Sequence, residues 1–180
     1  IHKVQEYTLR AEKLAKSLEY DLIHAHDWLC YPAGMLARKI GGKPLIVHIH
    51  ATEFDRAGGP GDERIHKIEH AGMTVADKVI AVSQYTAQMI MSRYRIDTAK
   101  IKIVHNAFSV PDDAVIANQR IFKGPVILFL GRITLQKGPD YFLEMSQRVL
   151  ATHPEARFIM AGTGDMSRKL LRRSASLKLR

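Results

Sequence analysis

The clearest strand and helix signals lie in the segment Asp21–His50, DLIHAHDWLCYPAGMLARKIGGKPLIVHIH. A short apolar run at 21–26 is followed by a helical pattern over 32–40 and then by a second apolar run at 44–50. Pro32 suits the first turn of a helix, and the glycine pair at 41–42 ends it. This order predicts a parallel β-α-β unit, because short, wholly apolar strands are typical of parallel sheets covered on both faces.

The same alternation extends in both directions along the chain. Leucines at helical spacing predict a helix over 7–18, and the composition of 51–61 predicts a glycine-rich loop. Beyond that loop, strands are predicted at 77–82, 101–104, 125–130 and 156–161, and helices at 62–75, 84–94, 139–151 and 165–177. The fold class is therefore α/β with parallel sheets.

Residues 107–124 interrupt this alternation, since they lack hydrophobic periodicity. We therefore predict two sheet-containing parts, 1–106 and 125–180, joined by an interdomain linker at 107–124. The chain opens on Ile1-His2-Lys3 without an initiator Met and closes inside a basic helical pattern. We expect it to be an internal fragment of a longer protein, with both domains incomplete.

Composition excludes several classes of protein. Hydrophobic residues make up 46% of the chain and charged residues 25%, which excludes a disordered tail, a collagen-like repeat and a coiled coil. No apolar run approaches the roughly 20 residues of a membrane-spanning helix. The single cysteine, Cys30, excludes a disulfide framework and favours a reducing compartment, so we expect a cytoplasmic protein.

The net charge of +9 is concentrated near the end of the chain. Residues 166–180 hold six basic side chains and no acidic one. The favoured interpretation is a solvated helix face whose acidic partners lie outside this chain. A polyanion-binding or membrane-surface patch is the weaker alternative, which leaves peripheral contact with a membrane open. Nucleic acid is not expected as a partner, because no aromatic residues are interleaved with these charges.

Polar or small residues follow the predicted strands, at the edge where open parallel sheets bind ligands. A polar loop composition explains part of this pattern. It does not explain Trp28 next to a polar pair, or Arg132 directly after a buried strand. The candidate cleft residues are Asp27, Trp28, Thr52, Glu53, Ser83 and Asn106, together with His26.

Four histidines lie on the first two strands. His24 and His26 are two residues apart and share one face of a strand, and the same holds for His48 and His50. A metal site is one possible use of such a set, but no H-E-x-x-H helix accompanies it. The sequence therefore predicts no metal, with His24 and His48 as hydrogen-bonded interior histidines and His26 and His50 at the mouth of the cleft.

The segment Gly131–Pro139 has the chemistry of a diphosphate site. A glycine at the end of a strand allows a ligand to approach the backbone, and Arg132 and Lys137 flank the turn into a helix whose N-terminus favours anions. Gly162 and Gly164 offer a second place for close backbone approach. No Walker P-loop and no complete G-x-G-x-x-G motif is present.

Segments 21–28, 48–56, 79–86, 103–107 and 129–142 together resemble the glycogen/starch synthase-like retaining glycosyltransferases of glycosyltransferase family four. The motifs HAHDW at 24–28 and FLGRITLQKG at 129–138 are the most specific parts of this resemblance. It implies the GT-B fold, in which two Rossmann-like domains face each other across a cleft. It also implies transfer of a hexosyl, and specifically a glucosyl, group from a nucleotide-diphosphate sugar to a saccharide or other hydroxyl acceptor.

The resemblance also assigns roles to residues. It implies that His26 contacts the transferred sugar, and that Arg132 and Lys137, preceded by Gly131, bind the donor diphosphate. No cofactor or metal is implied, and UDP-, ADP- and GDP-sugars remain open as donors. Asn106 matches a segment before the linker, although Ala107 replaces the usual glycine. The remaining cleft candidates match by position: Ser83 as a strand-tip residue, Thr52 and Glu53 on the acceptor side, and Asp27 and Trp28 in orienting the loop.

Two features of the family are absent from this chain. The glycine-rich loop near the start of the first domain is missing, and no glutamate has a second glutamate eight positions later. We therefore expect the chain to lack much of its donor site and to be inactive by itself. A nucleotide-sugar epimerase of GT-B fold and a non-catalytic nucleotide-sugar-binding module are the alternatives.

Overall fold

The computed structural model describes residues 1–109 and 122–177, which fall into two compact units, the first ending at Ser109. The predicted linker at 107–124 lies mostly outside the described residues, and its bounds stay a prediction. The first unit contains α1 (His2–Ser17), β1 (Ile23–His26), α2 (Asp27–Gly41), β2 (Leu45–Ile49), α3 (Glu53–Ala57), α4 (Glu63–Val75), β3 (Lys78–Ala81), α5 (Gln84–Tyr94) and β4 (Ile101–Ile103). The second contains β5 (Val126–Leu130), α6 (Pro139–Thr152), β6 (Arg157–Ala161) and α7 (Ser167–Ser176).

The first unit is a parallel four-stranded sheet with the strand order β1-β2-β3-β4. One face of this sheet holds the core, in which Val47 and Val79 pack with Tyr31 of α2, Met73 of α4 and Ile90 of α5. All three helices lie on this face because right-handed crossovers between strands in sequential order return on the same side each time. The predicted α/β fold with parallel sheets is confirmed.

The opposite face of this sheet is open within residues 1–109. It carries His24, Ile46, His48 and Ile80, which alternate along the strands with the buried core residues. The prediction that the strands are covered on both faces is wrong for the described residues. The reason is the sequential strand order, which an alternation of apolar runs along the chain does not reveal.

The second unit pairs β5 with β6 in parallel, with Leu128 opposite Ile159. Its small core consists of Ile133, Leu143 and Leu170, so α6 and α7 meet over the loop that follows β5. Leu128 and Leu130 on β5 are 55% and 78% exposed. One face of this strand is therefore also uncovered among residues 122–177.

The basic helix α7 finds acidic partners inside the chain. Arg173 pairs with Asp140 and Glu144 of α6 at 3.0 and 2.7 Å, and Lys169 approaches Asp140 at 3.4 Å. The prediction that its acidic partners lie outside the chain is wrong for these two cations, because α6 lies alongside α7. Among residues 1–109 and 122–177, no helix has the length and apolar character needed to cross a membrane.

Most element boundaries follow the local signals. Asp62 and Ser83 cap α4 and α5 through side-chain oxygens, and both helices begin within one residue of their predicted starts at 62 and 84. Three segments differ from the prediction. Helix α1 begins at His2 rather than at residue 7, helix α2 begins at Asp27 rather than at Pro32, and the predicted loop at 51–61 contains the short helix α3. No residue separates β1 from α2 and three residues separate β2 from α3, too few for a periodic pattern to reveal.

Candidate functional site

The carboxyl end of β1 turns directly into a helix. His26 is exposed at the last position of the strand, and Asp27 starts α2 with φ of 56°, a left-handed conformation that is uncommon outside glycine. The carboxylate of Asp27 accepts a hydrogen bond from the backbone N–H of His50 at 2.9 Å. This contact ties the segment after β2 to the start of α2, which supports the predicted orienting role of Asp27. Trp28 packs against the core.

The four histidines form one cluster on the open face. His26 Nδ1 lies 3.0 Å from His50 Nε2, and neighbouring ring centroids are 4.3 to 5.5 Å apart. The prediction of hydrogen-bonded interior histidines at 24 and 48 is wrong. His24 is exposed, and both ring nitrogens of the half-buried His48 are shielded from solvent without a hydrogen-bond partner among the described residues.

The histidine cluster favours neutral imidazoles. Loss of hydration, followed by the neighbouring His50, His26 and His24, lowers the pKa of His48 to about 4. Loss of hydration and then His26 and His50 also lower the pKa of His24. Both rings are therefore uncharged at neutral pH and present lone pairs rather than positive charge.

Thr52 and Glu53 are placed after β2 but are buried. The Thr52 hydroxyl and backbone N–H both donate to the Asp55 carboxylate at 2.8 Å, which completes a capping box at the start of α3. Glu53 accepts from Arg56 Nε at 3.2 Å and from the backbone N–H of Asp62 at 3.1 Å. Both side chains thus hold the loop in shape, and their acceptor-side role stays a prediction.

A buried network behind this loop was missed by sequence reasoning. Arg56 also pairs with Glu69, whose carboxylate accepts a hydrogen bond from the Tyr94 hydroxyl. Burial, followed by the hydrogen bond to Glu69, raises the pKa of Tyr94. The members come from three helices, so their spacing gives no signal. The sequence signal that could have revealed the network was a polar residue on the apolar face of a helix: Glu69 on α4 and Tyr94 on α5.

Ser83 and Asn106 lie at the tips of the remaining strands. Ser83 accepts a hydrogen bond from the backbone N–H of Thr86 at 3.0 Å and so caps α5. Asn106 is exposed, and the ring of the preceding His105 lies 3.1 Å from the Val82 carbonyl oxygen. Because parallel strands end at one edge, the structure brings these residues to the same edge of the sheet as His26.

In the second unit, the loop after β5 presents two cations. Gly131 has φ of 154°, and the side chains of Arg132 and Lys137 are exposed, with no ion pair or side-chain hydrogen bond to the rest of residues 122–177. Between them, Ile133 is buried and anchors the loop in the core. A 3₁₀ turn and Gly138, with φ of 63°, lead into α6, whose N-terminus has no side-chain cap.

Gly162 and Gly164 allow two strand-tip loops to approach each other. A Cβ atom on Gly162 would lie 2.9 Å from the carbonyl carbon of Gly131, and one on Gly164 would lie 2.5 Å from that of Ile133. Ile133 also donates to the Thr163 carbonyl oxygen at 2.9 Å. The close approach predicted at these glycines is thus made by the chain itself, and their contact with a donor stays a prediction.

Comparison with known proteins identifies related sequences. The family model described as Glycosyltransferase Family 4 matches residues 3–110, and the one described as Glycosyl transferases group 1 matches residues 113–180. An uncharacterized glycosyltransferase of Methanocaldococcus jannaschii is 30% identical over 176 residues, 87% of this chain and 45% of that protein. A D-inositol 3-phosphate glycosyltransferase of a Nocardioides species is 32% identical over 162 residues, 83% of this chain and 35% of the relative.

Solved structures show the same fold at low sequence identity. Sucrose-phosphate synthase from Thermosynechococcus elongatus superposes with a TM-score of 0.74 at 17% identity, covering 99% of this chain and 48% of that one. The Anabaena protein HepE, solved with UDP and glucose, gives a TM-score of 0.73 at 19% identity. The match covers 98% of this chain and 48% of that one. The chain spans less than half the length of these relatives and neighbours.

Proposed function

Because the chain belongs to glycosyltransferase family 4, we propose that it carries part of the site of an enzyme that transfers a hexosyl group. The donor is a nucleotide-diphosphate sugar, and the acceptor is a saccharide or another hydroxyl compound. Of the family's possible sugars we propose glucose, and we propose that transfer retains the anomeric configuration.

One observation supports this proposal above the others. Arg132 and Lys137 are exposed without partners in residues 122–177, at the carboxyl end of β5 and beside the uncapped N-terminus of α6. Lys169 and Arg173 of the same unit instead pair with acidic residues of α6. Two free cations near a helix N-terminus match a diphosphate, whose charge they offset through charge-assisted hydrogen bonds.

The chemistry follows from where charge develops. The bond from the anomeric carbon to the β-phosphate oxygen breaks, and its electron pair leaves with the nucleoside diphosphate. The acceptor oxygen bonds to the anomeric carbon and its proton is lost. Arg132, Lys137 and the N-terminus of α6 stabilise the negative charge that grows on the leaving group, the kind of interaction that lowers a barrier most.

The first unit supplies the sugar side of the proposed site. His26 is exposed at the end of β1, and its Nδ1 is held by His50 at 3.0 Å. This leaves Nε2 of His26 without a hydrogen-bond partner among residues 1–109, available to contact a sugar hydroxyl. Asp27 fixes the turn that places this ring.

The names of the relatives indicate which acceptors to test first. Several are named D-inositol 3-phosphate glycosyltransferases, and one structural neighbour is named sucrose-phosphate synthase. We therefore propose to screen phosphorylated sugars and cyclitols first, followed by glycans and lipid acceptors. The donor base is tested in the same screen with UDP-, ADP- and GDP-glucose.

The test compares Arg132→Ala with Arg168→Ala in the complete protein. Arg168 is an exposed cation on α7 without an ion pair among the described residues, so it controls for net charge. We expect Arg132→Ala to lower kcat/KM by about 2–4 kcal/mol, roughly 30- to 1,000-fold, and Arg168→Ala to change it less than about threefold. NMR of the anomeric proton of the first-formed product reports retention.

Other results separate the alternatives. Equal activity in the two variants would remove Arg132 from the site. A changed sugar on the released nucleotide, without transfer to any acceptor, would indicate an epimerase. Saturable binding of a nucleotide sugar without turnover would indicate a binding module.

A further inference from the structure

We propose that His24, His26 and His48 form a binding site for a borderline transition-metal ion, with Zn²⁺ as the type case and His50 as a fourth ligand. One ring nitrogen from each of the first three lies within 4.8 Å of the others. Imidazole nitrogen is the ligand that Zn²⁺, Ni²⁺ and Cu²⁺ take most readily after thiolate. This departs from the sequence-based prediction that no metal is bound.

Backbone geometry accounts for the convergence. His26 lies opposite His48 in the parallel register of β1 and β2, and His24 lies two residues before His26 on the same face. Adjacent strands are about 4.8 Å apart, so side chains in register stand side by side. The ligand backbones are thus held by a paired sheet rather than by loops, which limits the entropy lost on binding.

The spacing is close to that of a metal site. Zn–N bonds of about 2.0–2.1 Å at tetrahedral angles separate ligand nitrogens by about 3.3 Å. The present spread of up to 4.8 Å leaves about 1.5 Å to be closed, which rotation of the exposed His24 and His26 side chains supplies. His26 Nδ1 lies 3.0 Å from His50 Nε2, a hydrogen-bond distance that is about 0.3 Å shorter than the separation of two nitrogens on one ion.

His48 supplies an independent observation. Both of its ring nitrogens are buried without a hydrogen-bond partner among residues 1–109 and 122–177. An unsatisfied buried polar group is costly, and a ligated metal ion would satisfy one of these two nitrogens. Asp27, at the start of α2, accepts a hydrogen bond from the His50 backbone N–H, so its carboxylate lies beside the cluster and offsets part of the ion's charge.

Metal binding would also affect the proposed reaction. Rotation of the His26 ring onto the ion would move Nε2 away from the position that it offers to a sugar hydroxyl, so Zn²⁺ is expected to inhibit transfer competitively with the donor. This consequence rests on the proposed function, whereas metal binding itself does not. Metal binding at this site would therefore regulate sugar transfer through His26.

The experiment titrates the purified, metal-free complete protein with Co²⁺ and then with Zn²⁺ in competition with a chromogenic chelator. We expect one ion per chain and the intense visible absorption of a four-coordinate cobalt site, bleached by Zn²⁺. His24→Asn should weaken binding at least tenfold, as should His48→Asn. His70→Asn, which changes an exposed histidine of the same unit outside the cluster, should not.

Three outcomes overturn the proposal. They are the absence of a cobalt band, binding that does not saturate near one ion, and equal affinity in His24→Asn and His70→Asn. Because His24 is exposed, its variant keeps the test valid if His48→Asn fails to fold. Zn²⁺ binding that leaves transfer uninhibited would refute regulation by the metal and count against His26 as a sugar contact. The metal site itself would stand.

Discussion

Gly162→Ala is expected to loosen the two strand-tip loops that present Arg132 and Lys137. The added Cβ would lie 2.9 Å from the carbonyl carbon of Gly131, about 0.5 Å inside ordinary contact, and closer still to its oxygen. The obstacle is backbone, so it cannot rotate away. The loops must separate instead.

The matched control is Gly131→Ala. The two glycines have nearly the same φ, 150° and 154°, but a Cβ at Gly131 has nothing within 4 Å. Both variants therefore share the conformational strain of about 1–3 kcal/mol that an alanine meets at this φ. Only Gly162→Ala adds the steric term.

The size of that term follows from the hydrogen bonds across the loops. Gly131 donates to Ala161 at 3.0 Å, and Ile133 donates to Thr163 at 2.9 Å. Separation of the loops weakens both bonds, each worth about 1 kcal/mol. We therefore expect Gly162→Ala to be about 2 kcal/mol less stable than Gly131→Ala, a value typical of overpacking.

Hydrogen exchange resolved by peptide measures this difference in β5 and β6. Two kcal/mol corresponds to roughly 30-fold faster exchange through local opening. The single tryptophan, Trp28, lies in the first unit, so its unfolding transition should be the same in both variants. Equal exchange in the two variants would refute the steric reasoning, and a shifted Trp28 transition would show that the effect is not local.

Three further predictions concern the first unit. Gly72→Ala should cost about 1–3 kcal/mol, measured by denaturant unfolding, because its Cβ would lie 2.5 Å from the ring of Tyr31. Glu69→Gln should cost about 2 kcal/mol in the same assay, because it removes a buried acceptor of charge-assisted hydrogen bonds. Asp77→Asn should cost about 0.5–1 kcal/mol at pH 7. The hydrogen bond from Arg38 lowers the pKa of Asp77, so this stability exists above the unfolded-state pKa and is lost as pH falls through the folded-state pKa.

Controls for these variants come from the same unit. Gly59→Ala adds a Cβ with nothing within 4 Å and should change stability by less than about 0.5 kcal/mol. Glu63→Gln removes an exposed carboxylate that pairs only with Lys67 and should be nearly neutral. A loss at Gly72 no larger than at Gly59 would contradict the close packing of α4 on Tyr31. A pH-independent loss in Asp77→Asn would contradict the ion pair.

The candidate site was predicted in part. The residues at strand ends could be identified because parallel strands end at one edge, whatever helices pack between them. His26, Ser83 and Asn106 accordingly lie at that edge. Thr52 and Glu53 are also there, but their burial depends on Asp55, Asp62 and Arg56, contacts that a list of strand ends does not contain.

Local signals were enough to predict the alternation of strands and helices, the helix starts near Asp62 and Gln84, and the position of the cationic loop between β5 and α6. These are local properties, set by periodicity, capping and glycine within a few residues. Three features could be seen only in the folded chain: the open sheet face of residues 1–109, the burial of His48 beside three other imidazoles without a hydrogen-bond partner among the described residues, and the pairing of α7 with acidic residues of α6. Those outcomes depend on strand order and register, which bring together residues that are about 20 to 30 positions apart along the chain.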